Sequence, residues 1–220
     1  TLSPEVELAI DGTRMTVTLN GVYEKKNPIS NALPFPKTKI EKLPLQGKII
    51  VVNAGHGGKD AGAISGKYYE KVAALAISKK LETELKNQGA TVIMTRDDDT
   101  FISLQDRVDI SNNQDATIFI SIHLNSSEKS TPNGIETHWY KDNSKKLAEN
   151  VHTNLIKNIK CIDRGLINSK FYVINHTVAP AILVEVGFIS NIVERNELFE
   201  EKRQNATAKA IKNGVLEYFK

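Results

Sequence analysis

The chain has 220 residues, of which 40% are hydrophobic and 25% are charged, values that exclude intrinsic disorder, collagen-like repeats and coiled coils. Its 29 lysines and arginines against 26 acidic residues give a formal net charge of +3, so no nucleic-acid partner is expected. The single cysteine, Cys161, excludes an internal disulfide and a thiolate zinc site, and no apolar run approaches the roughly 18–20 residues of a membrane span.

The first 47 residues differ from the rest of the chain, because five of the seven prolines lie there. Alternating apolar residues on either side of Asp11-Gly12 predict a short β-hairpin, and residues 23–47 have the composition of a linker. We therefore separate residues 1–47 from the domain that follows. They form either the edge of an accessory module or a strap across that domain.

From residue 48 onward the pattern changes to strands that alternate with helices. Strands are predicted over residues 49–52, 91–95, 117–122, 134–140 and 181–186. Helices are predicted over residues 70–87, 104–112, 144–159 and 206–219. This alternation predicts an α/β domain over residues 48–220, with a single, mostly parallel, twisted sheet flanked by helices.

A histidine follows the first of these strands, between glycines in Gly55-His56-Gly57-Gly58. The carboxyl end of a strand is where open α/β sheets build their binding sites. A phosphate-binding loop or a plain turn is the alternative, but the glycine spacing matches neither GxGxxG nor the Walker A sequence.

Three further polar residues lie in or beside predicted elements. His123 follows the apolar strand at 117–122, where a single histidine is more often a hydrogen-bonded core residue than a ligand. Glu185 interrupts an apolar strand and needs a metal, an arginine or a proton as its partner, since burying an unpaired carboxylate costs several kcal/mol. Glu70 opens a helix, and the helix dipole alone would explain it. Considered together, two imidazoles and a carboxylate are a suitable zinc ligand set with one position left for water, and a further glutamate nearby would move protons.

Several segments occur in the order and spacing of a known family. They are residues 49–63 with the Gly-His-Gly-Gly turn, Glu70-Lys71, Thr95-Arg96, residues 103–107, residues 119–125, Arg164-Gly165 and residues 180–191. On these segments the chain from residue 48 to residue 220 resembles the zinc-dependent N-acetylmuramoyl-L-alanine amidases of bacterial cell-wall hydrolysis.

The resemblance implies that His56, Glu70 and His123 bind one zinc ion and that Glu185 is the catalytic carboxylate. It also implies a peptidoglycan substrate, cleaved at the amide bond between the lactyl group of muramic acid and the L-alanine of the stem peptide. Substrate contacts are predicted at Asn125 and Arg164. A strand-ending turn at Asn125 and an ion pair at Arg164 are the alternatives.

The chain departs from the family pattern at two positions. Asn53 stands where the family usually has an aspartate, so we expect a neutral amide to orient the His56 ring. Asn175 stands where the family often has a basic residue, which would weaken a substrate contact. The remaining histidines and the cysteine are predicted to have no catalytic role; they are His138, His152, His176 and Cys161.

By the same resemblance we expect a secreted monomer at the cell wall, with wall-anchoring modules or an activator as further partners. This location follows from the resemblance alone, since the printed sequence opens without a signal-peptide pattern. A zinc peptidase cutting within the stem peptide would use the same ligands. A non-catalytic wall-binding module would have lost a ligand or Glu185. A nucleotide-binding domain is disfavoured because residues 71–80 contain no acidic residue to hold a ribose.

Overall fold

The structure is a computed structural model that describes residues 5–11, 14–20 and 42–220. The chain divides into two compact units, residues 1–41 and residues 42–220. Among the helices of the described ranges, none is long and apolar enough to cross a membrane.

The first unit contains the predicted hairpin. Strands β1 (Glu5–Asp11) and β2 (Arg14–Asn20) pair antiparallel, with Asp11 opposite Arg14. The predicted linker lies outside the described residues except for residues 42–47. That stretch belongs to the second unit, where Leu45 is fully buried and donates its N–H to the carbonyl of Gln88 at 2.9 Å.

The second unit is an α/β domain with one central sheet. Its elements are β3 (Ile49–Ala54), β4 (Ile64–Ser65), β5 (Tyr68–Tyr69), α1 (Glu70–Lys86), β6 (Thr91–Met94), α2 (Leu104–Asn113), β7 (Ile118–Asn125), β8 (Ile135–Trp139), α3 (Asp142–Asn158), β9 (Asp163–Asn168), α4 (Tyr172–His176), β10 (Ala181–Phe188), α5 (Ile192–Leu198) and α6 (Glu201–Tyr218). The sheet order is β6-β3-β7-β10-β8-β9, and every neighbouring pair is parallel except β10 with β8. The predicted fold class is therefore confirmed.

The two faces of the sheet are covered unequally, because strand side chains alternate between them. One face packs against α1, α3 and α6 and forms the larger apolar core, which includes Ile120 and Val184. The other face packs only against the shorter helices α2 and α4, through Phe119 and Leu183. Since both faces are covered, the central strands read as continuous apolar runs in the sequence.

The central strands β7 and β10 run two or three residues further than the sequence predicts. His123 therefore lies inside a strand, as Glu185 was predicted to do, and the two are direct neighbours across the β7–β10 pair. Phe119 and Leu183 point to the face that α2 and α4 cover. His123 lies an even number of residues after Phe119, and Glu185 lies an even number after Leu183, so their side chains point to that same face. The sheet thus places both side chains on the same face, at the carboxyl ends of two parallel strands.

Candidate metal centre

Three side chains from distant parts of the sequence meet at the carboxyl edge of the sheet. His56 follows β3, Glu70 opens α1 and His123 lies in β7. The Nε2 atom of His56 and the Nδ1 atom of His123 each lie 3.0 Å from the same oxygen, Oε1 of Glu70. One ligand atom from each residue lies within 4.8 Å of the other two, which is compact enough for a single metal ion.

The His56 ring is oriented by a carboxylate rather than by Asn53. Its Nδ1 atom lies 2.8 Å from Oδ2 of Asp60, while Oδ1 of Asp60 accepts the N–H of Gly62 at 3.0 Å. Asn53 instead donates to Ser121 Oγ at 2.7 Å. The expectation that a neutral amide orients His56 was therefore wrong: Asp60, four residues beyond the histidine, fixes the ring and turns Nε2 toward the centre.

Glu70 is buried, and its carboxylate does not serve the helix that it begins. Oε1 accepts the N–H of Leu124 at 3.0 Å and Oε2 accepts that of Ala63 at 2.9 Å. Burial by itself raises the pKa of Glu70, but its hydrogen bonds to His123 and His56 outweigh that effect and hold the pKa well below its usual range. Glu70 is therefore an anionic ligand candidate, and helix capping does not account for its contacts.

The pKa values of the two histidines are shifted in opposite directions. Burial lowers the pKa of His123, which favours the neutral ring that a metal requires. Burial also lowers the pKa of His56, but Glu70 and Asp60 together outweigh it, so the net pKa is raised.

Two glycines allow these side chains to approach so closely. A Cβ atom on Gly55 would lie 2.4 Å from Cε1 of His123. A Cβ atom on Gly62 would lie 2.7 Å from Oε2 of Glu70, and Gly62 also has a left-handed φ of +66°. The glycines around His56 thus give the centre its room.

Glu185 stands beside this triad without being part of it. No described residue donates a hydrogen bond to its buried Oε2 atom, and no arginine or lysine of that part of the chain lies within ion-pair distance. Burial raises the pKa of Glu185 well above its usual value, and the nearby charges of Glu70 and Glu136 raise it further. Of the three partners considered for this carboxyl, a proton is the one that these surroundings favour.

Comparison with known proteins agrees with the geometry. Residues 50–217 match the model of the N-acetylmuramoyl-L-alanine amidase family. The chain belongs to this family. The resemblance drawn from its motifs, and the enzyme class that it implied, are confirmed.

Individual relatives show how far the likeness extends. The amidase is 37% identical over 194 residues to N-acetylmuramoyl-L-alanine amidase LytC of Bacillus subtilis, a match that covers 85% of this chain and 39% of LytC. The catalytic domain of CwlV from Bacillus (Paenibacillus) polymyxa var. colistinus has a TM-score of 0.76 and 44% identity, over 78% of this chain and 97% of that solved domain. CwlD from Clostridioides difficile, solved in complex with the GerS lipoprotein, has a TM-score of 0.74 and 33% identity, over 78% of this chain and 98% of the CwlD chain.

The triad and Glu185 lie in an open cleft of about 420 Å³. Its polar residues surround the candidate metal centre and include Asn125. An apolar wall rises on the side of α2 and α4; its residues are Phe101, Ile102, Leu104, Phe171, Tyr172 and Val173. Several of them are exposed, as is usual for a ligand-binding cleft of an enzyme.

The two predicted substrate contacts of the amidase meet at a residue that sequence reasoning missed. Glu136 is buried on β8, directly opposite Glu185 on β10. It accepts hydrogen bonds from Nε of Arg164 at 2.6 Å and from Nδ2 of Asn125 at 3.0 Å. The ion pair considered for Arg164 is therefore present, and Asn125 is the last residue of its strand. Their contact with substrate stays a prediction.

The other histidines of the amidase have contacts outside the triad. His138 lies 2.8 Å from Ser169 Oγ and His152 lies 2.8 Å from Asp163 Oδ1, while the ring of His176 lies 2.9 Å from a backbone carbonyl. These positions agree with the structural roles predicted for them. Burial raises the pKa of the Cys161 thiol, which disfavours a nucleophilic thiolate.

Proposed function

We propose that this amidase is a zinc-dependent peptidoglycan hydrolase that cleaves between the lactyl group of muramic acid and L-alanine of the stem peptide. One observation carries the proposal. Two imidazole nitrogens and a carboxylate oxygen converge within 4.8 Å, beside a glutamate whose buried oxygen has no partner among the described residues.

The residues of the triad fit zinc by their chemistry. Zinc in hydrolytic sites takes three nitrogen or oxygen ligands from the protein and keeps one position open, and His56, Glu70 and His123 are such a set. The lowered pKa values of Glu70 and His123 favour the ionised carboxylate and the neutral imidazole, which are the forms that a metal requires. When bound, zinc supplies Lewis-acid chemistry, polarising the amide carbonyl and lowering the pKa of water toward about 7.

Glu185 carries the proton transfers in this proposal. As a base it takes a proton from the attacking water while the new carbon–oxygen bond forms, and as an acid it gives that proton to the leaving nitrogen while the carbon–nitrogen bond breaks. Its raised pKa suits the second of these roles, because a group of ordinary carboxylic acidity returns a proton less readily near neutrality. The products are a lactyl carboxylate and a free L-alanine amine.

Two further residues are proposed to contact the substrate. Asn125 lines the cleft, and its amide is held by Glu136. Within the described part of the chain only Nε of Arg164 is hydrogen-bonded, so its terminal nitrogens are available for a carboxylate of the stem peptide.

By family membership we place the protein outside the cytoplasmic membrane, as a monomer. CwlD in complex with the GerS lipoprotein is a precedent for a protein partner, and we propose an activator of this kind.

Product analysis tests the proposed function. Purified peptidoglycan is digested with zinc-loaded and with chelator-treated protein, and the fragments are identified by mass spectrometry. We expect stem peptides with free L-alanine amines, released only by the zinc-loaded protein. Cuts inside the stem would assign a peptidase instead, and zinc binding without any cleavage would favour a wall-binding role.

A further inference from the structure

The turn that carries His56 has an unusual backbone. His56 has a φ of 58°, in the left-handed region that residues with a Cβ atom rarely adopt. Among the described non-glycine residues only Asp115 shares this property. A strained residue at a functional site persists only when its surroundings fix it, so the contacts that hold this turn are of interest.

Arg107 is the first of these contacts. Its side chain is 3% exposed and reaches the turn from α2. Nη2 donates to the carbonyl of His56 at 2.7 Å, and Nη1 donates to the carbonyl of Ala54 at 2.7 Å and to Oδ1 of Asn53 at 2.6 Å. Nε donates to the carbonyl of Ile102 at 2.9 Å, which anchors the guanidinium to its own loop. One side chain thus holds the backbone at the metal-ligand candidate itself.

Arg96 is the second contact, and it also reaches the helix that carries Glu70. This arginine is 4% exposed. Nε donates to the carbonyl of Ala54 at 3.1 Å, and Nη2 donates to those of Gly55 at 2.7 Å and Lys71 at 2.9 Å. Because Lys71 directly follows Glu70, Arg96 joins the His56 turn to the first residues of α1.

Neither guanidinium is neutralised by a carboxylate within ion-pair distance among the described residues. Their acceptors here are backbone carbonyls and the neutral amide of Asn53. Burying a cation is unfavourable unless its donors are hydrogen-bonded, and acidic residues such as Asp60 act on these two arginines only from beyond ion-pair distance. Most of the hydrogen bonds of the two guanidinium groups are directed at the turn beside the metal centre.

We propose that Arg96 and Arg107 are positioning residues that hold His56 and Glu70 in the arrangement that binds zinc. The inference rests on the proposed function, because it takes the triad as the zinc site. It gives a role to two of the family segments, Thr95-Arg96 and residues 103–107, which take no part in the chemistry proposed for the metal centre. Both arginines act through backbone carbonyls, so they shape the site without touching the metal.

The test compares Arg107→Lys with Arg203→Lys. Arg203 is the control: it is also buried and also donates to a backbone carbonyl, that of Val186 at 3.2 Å, and it differs in having a carboxylate partner, Glu197, at 3.6 Å. Three quantities are measured on each purified protein: the Zn²⁺ dissociation constant by competition with a chelating dye, the absorption spectrum with Co²⁺, and the unfolding free energy of the metal-free protein.

Lysine carries its donors on a single nitrogen and does not reproduce the planar fork with which Arg107 reaches four acceptors. We therefore expect Arg107→Lys to bind Zn²⁺ about 10- to 100-fold more weakly, with an altered Co²⁺ spectrum. We expect Arg203→Lys to stay within about twofold of the parent affinity, since changes at distant sites seldom couple. Unchanged Zn²⁺ affinity in Arg107→Lys, or an equal loss in the control, overturns the inference.

Two more variants keep the test decisive. If Arg107→Lys does not fold, Arg96→Lys is measured against the same control with the same criteria. His123→Ala separates this inference from the proposed function. If His123→Ala keeps parent Zn²⁺ affinity, the proposed zinc site is wrong; if it loses Zn²⁺ while the arginine variants keep it, only the positioning role is wrong.

Discussion

Replacing Gly62 with alanine should damage metal binding far more than it damages the fold. The new Cβ would lie 2.7 Å from Oε2 of Glu70 and 2.7 Å from Cδ2 of His56, which is closer than such atoms approach. One of the two ligand side chains must therefore move. The left-handed backbone adds a penalty of roughly 1–2 kcal/mol for any residue with a Cβ.

Gly66 supplies the control that separates these two effects. It has nearly the same backbone angle, a φ of +60° against +66° for Gly62, and a Cβ atom there meets nothing within 4 Å. Chemical denaturation of both metal-free variants should show a similar loss of about 1–2 kcal/mol. A chelator competition assay should show a Zn²⁺ affinity about 10- to 100-fold weaker in Gly62→Ala only. Equal Zn²⁺ affinities in the two variants would refute the claim that Glu70 and His56 bind the metal together.

Four further predictions concern the ligands and the network beside them. His123→Ala should bind Zn²⁺ at least about 100-fold more weakly by isothermal titration calorimetry, because one of three ligands is gone. Protons compete with the metal for His56, whose pKa is raised above 6.5, so the Zn²⁺ affinity should begin to fall at a pH somewhat above 6.5 and should fall further below it. Because the pKa of Glu70 is lower in the folded protein than its value near 4.5 in the unfolded chain, Glu70 stabilises the metal-free fold above about pH 4.5. Acid denaturation should show this stability being lost as the pH falls below 4.5, and the loss should be smaller in Glu70→Gln. Arg164→Ala should lower the unfolding free energy by about 1–2 kcal/mol in urea, since it leaves the buried carboxylate of Glu136 with a weaker network.

The fold was predictable where the sequence carries long periodic signals. The apolar runs at β3, β7 and β10 are buried between helices on both faces, and that burial makes them visible in the sequence. Helix α1 ends at Lys86, one residue before the predicted end, and Gly89 follows with a φ of +90°. The short elements β4, β5, β9, α4 and α5 were missed, because few residues leave no period to detect.

The site was predictable as a set of residues but not as a geometry. Glu185 and His123 attracted attention because each is polar within an apolar strand, and the β7–β10 pairing explains why they are neighbours. The role of Asp60 was missed, because its contact with His56 depends on a left-handed turn that spacing does not reveal. Glu136 was missed as well, since it lies in a strand that contains several other polar residues.

In the proposed mechanism the triad holds zinc and Glu185 moves the proton. Measuring zinc content and turnover together on the Glu185→Gln variant tests it most directly, because glutamine keeps the shape of the side chain and removes its acid–base chemistry. We expect Glu185→Gln to bind one zinc ion per chain, as in the parent protein, and to turn over peptidoglycan about 10²- to 10⁴-fold more slowly. Turnover close to the parent rate, or loss of the zinc, would contradict it.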